Sequence, residues 1–502
     1  MKDDGDNLGA GEWLSHLTGQ YPTRDALVDR ATGQTLSYAK LHALVGQEMR
    51  AMRTVAAESR CVWIVEERPE HAILPYLAAL ALGRRVCFAT EAGFPSSFAT
   101  LSAGDEVALV YRRSDTTDQV AVAGECLYRS TSSLWLSEPA EPVAFPPADR
   151  PEEGEVIFFS SGTTGRSKAI VIRWSALIRN ANQLADAFGF TQERHLLILP
   201  LSHSNGQVLG MLAPLAGGGA VVLGTTTGIA ALFGLWKDAA ALDVAVIDCV
   251  PTVIQSILTM RQFPPEGGHR PRLMISGGAP ISPATIREFE SQCGVPLLQE
   301  YGLSEAVCVS SCETPRIRKI GTVGKPLPGN DIRILRPDGS EVASDERGRV
   351  HIRTQSLMSH YEAGGIRIPP PIHDGYLMTN DIGSVDNEGF LSIAGRLDDT
   401  LIKGGFNIVP TDVEDFLVGY PGLDRCAVLG VPCKTYGQDL VVFYTPKPGT
   451  KINEAELKAH LRDRGDRMWY PKLVIAIDLL PTTSSGKVMR RALVDHLPQN
   501  MP

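Results

Sequence analysis

Residues 160 to 168 run Ser160, Ser161, Gly162, Thr163, Thr164, Gly165, Arg166, Ser167, Lys168, between the apolar stretch EVIFFSS that starts at 155 and the helical spacing of WSALIRNANQLADAF. Hydroxyl groups, backbone N–H groups that converge at the two glycines, and a terminal ammonium make a cradle for a polyphosphate. It is not the P-loop of nucleoside triphosphatases. Ser167 stands where that motif needs its second Gly, and Ala169 where it needs the Ser or Thr that holds magnesium, so phosphoryl transfer of that kind is disfavoured. Other residues with chemical capacity sit in short Gly-, Ser- or Pro-marked segments: His203 in PLSHSNG (200–206), SGGAP (276–280), Glu305 in QEYGLSEA (299–306), Asp381 in GYLMTNDIG (375–383), Arg396 and Asp398 in GRLDDTLIKGGFNI (395–408), and Lys487 in PTTSSGKVMRRAL (481–493).

These segments need elements to hold them. Runs rich in Val, Ile, Leu and Ala at 61, 106, 155, 195, 220, 244 and 272 alternate with helical stretches such as SPATIREFESQCG, which predicts α/β layers with a largely parallel sheet over the first 400 or so residues. The Pro/Glu-rich segment 138–154 reads as a linker or long loop, expected to separate two subdomains. After about residue 320 the strands turn polar and alternating (NDIRILRPDGS, GRVHIRTQS, GFLSIAGRLDD), as in an antiparallel β unit. From 411 the order helix, strand, strand, helix predicts a small α+β domain of about 100 residues. No internal repeat is evident.

A chain of 502 residues is about three domain-equivalents. Hydrophobic residues at 43% and charged residues at 21% belong to soluble globular proteins. With 48 Lys plus Arg against 57 Asp plus Glu, the net charge of -9 leaves no basic excess for nucleic acid, which is excluded as an expected partner. The nine cysteines are odd in number, scattered and without a C-x-x-C pair, so they read as reduced thiols, Cys308 and Cys312 among them. The acidic N-terminus lacks an apolar leader and no run approaches a membrane span, so a cytoplasmic location is expected.

Taken together, SSGTTGRSK and the six later segments resemble, in order and from LSYAKL at 36 to the last lysine motif, the adenylate-forming superfamily of acyl- and aryl-CoA synthetases, adenylation domains and beetle luciferases. The pattern is most similar to acyl-CoA or aryl-acid ligases. The resemblance implies a large N-terminal domain over 1–396 that binds acid and ATP, a hinge at 397–398, and a small mobile C-terminal domain over 399–502 that carries the catalytic Lys487. It implies that Ser160, Ser161, Gly162, Thr163, Thr164, Gly165, Lys168, Gly277, Gly278, Ala279, Glu300, Tyr301, Gly302, Ser304, Asp381 and Arg396 contact ATP or AMP. Within that set Tyr301 would lie against adenine, Asp381 and Arg396 would hold the ribose hydroxyls, and Gly277 and Gly278 would let the backbone approach the base. Thr164 and Glu305 would hold Mg2+. His203, Asn205, Gly206 and Gly278 would line the acid pocket, His203 as a base, a pocket wall or simply a buried structural histidine. Asp398 would be the hinge, and the loop from Lys403 to Phe406 would enter the site in a second step. Ser304 for Thr, Asn380 for Gly and Ser167 for Pro depart from the family pattern without removing a charge, and nothing carries over to the poorly matching segment 359–374.

Elementary chemistry points the same way. Activating a carboxylate with ATP brings two anions together, so the site must supply cations and donors where they meet; a carboxylate such as Asp381 is a natural acceptor for a vicinal diol, and a hard cation prefers oxygen ligands. The expected activity is an ATP-dependent ligase that forms an acyl-adenylate with release of pyrophosphate and passes the acyl group to coenzyme A. An amine acceptor, an acyl carrier protein thiol, and a nucleotide-binding scaffold without ligase activity stay as alternatives. Because PLSHSNG holds no acid to pair with an α-ammonium, a neutral aryl or acyl acid is the expected substrate. Lys403, Arg467 and Lys472 are the candidates for coenzyme A phosphates.

Overall fold

The computed structural model describes residues 8–55, 59–66, 68–89, 97–98, 101, 108–113, 126–131, 145–146, 153–160, 168–224, 228–482 and 488–498. A nine-stranded sheet has at its centre the strands Leu297–Tyr301, Leu273–Ser276, Val244–Cys249, Arg194–Leu197, Ala220–Leu223 and Asp25–Asp29, each parallel to its neighbour. An eight-stranded sheet is parallel through Glu155–Ser160, Arg85–Phe88, Cys61–Val65, Ala108–Arg113 and Cys126–Thr131, and continues antiparallel through Lys168–Arg173 and His360–Ala363.

The uninterrupted apolar runs follow from burial on both faces. In the first sheet Leu27, Leu197, Val221, Val246, Ile275 and Leu298 point into one continuous core shared with a face of the second sheet and with helices Ala10–Gln20, Tyr38–Val55, Pro69–Ala81 and Trp174–Phe188. Their neighbours Val28, Leu196, Val222, Ile247, Met274 and Leu297 face outward beneath helices Leu235–Ala241, Pro251–Thr259 and Pro283–Cys293. The last of these shows how local chemistry sets its ends. Ser282 caps it by accepting from the Thr285 N–H at 3.1 Å, Pro283 supplies a preset first turn, and Gly294 at φ 65° closes it in the left-handed conformation.

Two antiparallel-rich sheets complete the chain. One joins Asp331–Leu335, Gly348–Arg353, Tyr376–Val385 and Leu391–Arg396; the other joins Leu401–Lys403, Phe406–Ile408, Leu423–Cys433, Gly437–Pro446 and Leu473–Ala476, with helices Pro410–Leu417 and Glu454–Arg464 on one face. The chain is thus α/β with a large N-terminal part and a small α+β C-terminal part. Among the described residues no helix is long and apolar enough to cross a membrane.

The expectation that 138–154 separates two subdomains is corrected. The strands on either side, Cys126–Thr131 and Glu155–Ser160, belong to one sheet. Within the segment Phe145 stacks on His42 at 3.9 Å between centroids, against Gly11 and Gly46, so an apolar ring ties a polar stretch to the core.

Candidate active site

Parallel strands end at one edge, and the chemically marked segments leave from it: 200–206 follows Arg194–Leu197, 276–280 follows Leu273–Ser276, and 302–306 follows Leu297–Tyr301. In an open parallel sheet that edge is where ligands bind. Tyr301 is buried at the end of its strand and donates its hydroxyl to Asp381 Oδ2 at 2.6 Å. Asp381 and Arg396 are direct cross-strand partners, so carboxylate, guanidinium and phenol meet across two sheets that are distant in sequence. Burial and the Asp381 carboxylate push the Tyr301 hydroxyl up, which keeps it a donor.

Behind Tyr301, Glu300 is buried and accepts from Asn205 Nδ2 at 3.1 Å, and the Cys308 thiol donates to Asn205 Oδ1 at 3.4 Å. Gly277 makes room for this carboxyl, since a Cβ there would stand 1.4 Å from Glu300 Oε1. Its missing side chain serves Glu300, whereas Gly278, at φ 77°, has open space and is held to glycine by its backbone. Ala279, partly exposed, continues that turn. Gly302 lets the chain double back, because a Cβ would meet the Cys308 carbonyl at 1.5 Å.

Burial pushes the Glu300 carboxyl up to about 8, with the Asn205 bond opposing only part of the shift. The fold therefore keeps a proton that the unfolded chain releases at about 4.5, so this group stabilises the fold most at acid pH, and that contribution is lost as pH rises towards 8. Glu300→Gln cannot titrate. Between about pH 5 and 8 its melting temperature relative to wild type is expected to climb with pH; a flat difference across that window would mean that Glu300 is ionised in the fold.

At the phosphate end, Ser160 closes its strand and Lys168 opens the next, paired in register, while Ser161, Gly162, Thr163, Thr164 and Gly165 lie outside the described residues. Lys168 Nζ lies 5.3 Å from the centroid of the Tyr361 ring, and the Tyr361 hydroxyl donates to Glu305 Oε1 at 3.0 Å. Tyr361 thus links the lysine expected at the phosphates to the candidate metal ligand. It comes from the strand His360–Ala363, which pairs with Lys168–Arg173, inside the segment 359–374 that matches the family pattern poorly. Glu305 sits in the single turn Ser304–Ala306. The turn ends on Val307 at φ 69°, a strained position for a β-branched residue, held by complete burial. Among the described residues no three His, Cys, Asp or Glu side chains converge on a metal site. One carboxylate suits Mg2+, which keeps several waters and is held largely by nucleotide phosphates.

His203 precedes the one-turn helix Ser204–Gln207, and burial lowers its imidazole pKa, favouring the neutral form. Gly206 packs against backbone: a Cβ would stand 2.3 Å from the Pro200 carbonyl, so this glycine shapes the loop that presents His203 and Asn205.

Around the expected hinge, Asp398 lies in the short turn Leu397–Asp399, accepts from Asn380 Nδ2 at 3.0 Å and sits 3.6 Å from Arg396 Nη2. Across it, Arg347 pairs with both oxygens of Asp412 at 2.6 and 2.8 Å, and the Thr411 hydroxyl donates to the Ala394 carbonyl. Lys403, expected in a loop that enters the site in a second step, is buried in this arrangement. Its ammonium is 2.6 Å from Asp439 and donates to the Tyr470 carbonyl at 2.7 Å, so its charge is already matched inside the small sheet.

Lys487 lies outside the described residues, whereas residues 488–498 lie within them. There Arg490 donates to both oxygens of Glu414 at 2.7 and 2.8 Å. Burial raises the Glu414 pKa more than Arg490 lowers it, the mark of a pair whose worth lies mainly in not being broken. Arg490→Met is expected to cost about 3–5 kcal/mol in denaturant unfolding of the small domain, and a loss below about 1 kcal/mol would show that the pair does not anchor the lysine segment.

Residues 14–362 match the AMP-binding enzyme family, and residues 412–487 match the AMP-binding enzyme C-terminal domain. The chain is 32% identical over 355 residues to sulfoacetate--CoA ligase of Cupriavidus necator, covering 70% of this chain and 68% of that protein. It is 28% identical over 489 residues to feruloyl-CoA synthase of an Amycolatopsis species, covering 96% and 98%. Its structure resembles ATP-bound MatB from Rhodopseudomonas palustris, with TM-score 0.85, 25% identity, and 97% and 99% of the two chains covered. It shares the fold of the amide bond synthetase McbA from Marinactinospora thermotolerans, with TM-score 0.80, 22% identity, and coverage of 96% and 99%. With both family models matched along one chain, the chain belongs to the AMP-binding enzyme family as an adenylate-forming ligase.

Proposed function

We propose that the chain adenylates a carboxylic acid and passes the acyl group to the thiol of coenzyme A. The observation that carries this reading is that Tyr301 contacts Asp381, the cross-strand partner of Arg396, a group fit for a ribose, while Glu305, four residues on, contacts Tyr361 beside Lys168, a group fit for phosphates. ATP would lie with its ribose on Asp381 and Arg396 and its phosphates against the 160–165 loop and Lys168. Mg2+, held by Glu305 and Thr164 with the phosphates, would offset their charge. A carboxylate oxygen of the acid then attacks the α-phosphorus and pyrophosphate leaves, Lys487 donating where the two anions meet. In the second step the thiol attacks the acyl carbon, AMP leaves, and the thiol proton goes to solvent or to a neutral His203.

The names of the two relatives support coenzyme A as acceptor. One feature favours a second reading, transfer to an amine: the ammonium of Lys403, a candidate for coenzyme A phosphates, is taken up by Asp439 and the Tyr470 carbonyl. The test is acid-dependent pyrophosphate release across a panel of carboxylic acids with hydroxylamine as trap, followed by each acceptor in turn. Phosphate release in place of pyrophosphate, or neither, would end the adenylation reading. Amide formation from an amine under conditions where acyl-CoA fails to form would replace the coenzyme A step.

A further inference from the structure

The strand Val244–Cys249 is apolar except for one residue. Asp248 faces the same side as Val246, is 5% exposed, and makes no well-formed hydrogen bond at either carboxylate oxygen among the described residues, the Cys249 N–H being a weak neighbour at most. An unpaired carboxyl so deeply buried costs several kcal/mol unless it is protonated or a partner arrives. Nothing in the packing of the strand requires an acid there, because its neighbours in register are Ile275 and Leu197.

Its position names the partner. Asp248 is one residue from the end of its strand, at the edge from which the 200–206 and 276–280 segments leave. The helix above it carries a π-turn at Val208–Leu212, and Gly210 in that turn packs close over this part of the sheet: a Cβ there would stand 2.6 Å from Leu197 Cδ1, 3.7 Å from the Asn205 carbonyl and 3.8 Å from Asp248 Oδ2. Such turns are frequent at functional sites. Glu300 is close enough to raise the Asp248 pKa, and both acids raise that of the Cys308 thiol, so the two carboxyls and the thiol lie near one another, with Asn205 bonded to Glu300 and to Cys308.

We propose that Asp248 and Glu300 form the far wall of the acid pocket and select a carboxylic acid that carries an amino nitrogen at the end remote from its carboxyl group. This rests on the adenylation reading. Neither carboxyl supplies the cation that the reacting carboxylate needs, so the group they receive belongs to the other end of the substrate. An amino nitrogen offers two or three N–H donors, enough for both oxygens of Asp248, whereas a hydroxyl offers one. The expectation of a neutral acid rested on the acid-free segment 200–206; here the acids come from the neighbouring strands.

The test compares matched acids on the full-length enzyme: meta- and para-aminobenzoate against the corresponding methylbenzoates, and aminohexanoate against heptanoate, which separates aromatic from aliphatic sources of the nitrogen. Binding is measured by calorimetry in the presence of a non-hydrolysable ATP analogue, and turnover by pyrophosphate release. At least one amino acid of the panel is expected to bind at least about tenfold more tightly than its methyl counterpart, because a site built for N–H donors rejects the analogue that lacks them. Asp248→Leu is expected to reverse that order, and Asp248→Asn to retain part of it. Equal binding of the matched acids to wild type overturns the proposal without recourse to any variant, as does an unchanged preference in a folded Asp248→Leu. Pyrophosphate release without the preference overturns this proposal alone. The preference in binding with no acid-dependent release overturns the adenylation reading and supports this one, and the absence of both overturns both.

Discussion

Lys487→Ala is expected to lower acid-dependent pyrophosphate release by about 10²–10³-fold or more while ATP binding and melting temperature stay near those of wild type, because one donor aimed at developing charge is worth about 3–4 kcal/mol. The flanks of the lysine show why the fold should survive. Thr482 and Val488 form a β-bridge, the Met489 N–H donates to the Pro481 carbonyl at 2.8 Å, and Arg490 holds Glu414, all without the lysine side chain. Release reduced by less than tenfold would remove Lys487 from the adenylation step, and a large fall in melting temperature would mark it as structural.

The second large effect separates the two half-reactions. Asp398 lies in a single 3₁₀ turn, a conformation whose usual φ proline shares, so Asp398→Pro is expected to leave the present arrangement standing while restricting the rotation that the hinge reading requires. Adenylation should persist within a few-fold, and transfer from preformed acyl-adenylate should fall about 100-fold or more. Asp398→Ala also loses the Asn380 hydrogen bond but keeps φ free, and serves as the control. Equal loss in both half-reactions for the proline variant would point to a folding defect and against a hinge.

The layers were legible because strands buried on both faces read as unbroken apolar runs, and because the helix at 283–293 carries its stop signals on its surface. The site segments were legible because tight Gly-, Ser- and Pro-marked turns are needed wherever backbone must approach a ligand. What escaped lay in long-range pairing. Tyr361 gains its meaning only when its strand is laid beside Lys168, and a hairpin at a sheet edge has no apolar pattern to announce it. Asp248 had a visible mark, one acid in an apolar strand, but its significance depends on Glu300 and Gly210 arriving from elsewhere. Phe145 looked like part of a polar linker because one ring finding a slot between two glycines leaves no periodicity. Lys403 sits beside two glycines that suggest a mobile loop, and only the fold supplies Asp439.

The Arg347–Asp412 contact crosses the expected hinge with half of the Arg347 side chain in solvent. An exposed pair of this kind contributes about 0–1 kcal/mol and weakens as salt rises. That is a negligible share of folding stability, yet at its upper end it is about fivefold in the balance between two domain orientations separated by a few kcal/mol. On the hinge reading, ionic strength is then expected to act as a dial on that balance: added salt should weaken the contact that favours the orientation seen here without touching a residue of the chemistry.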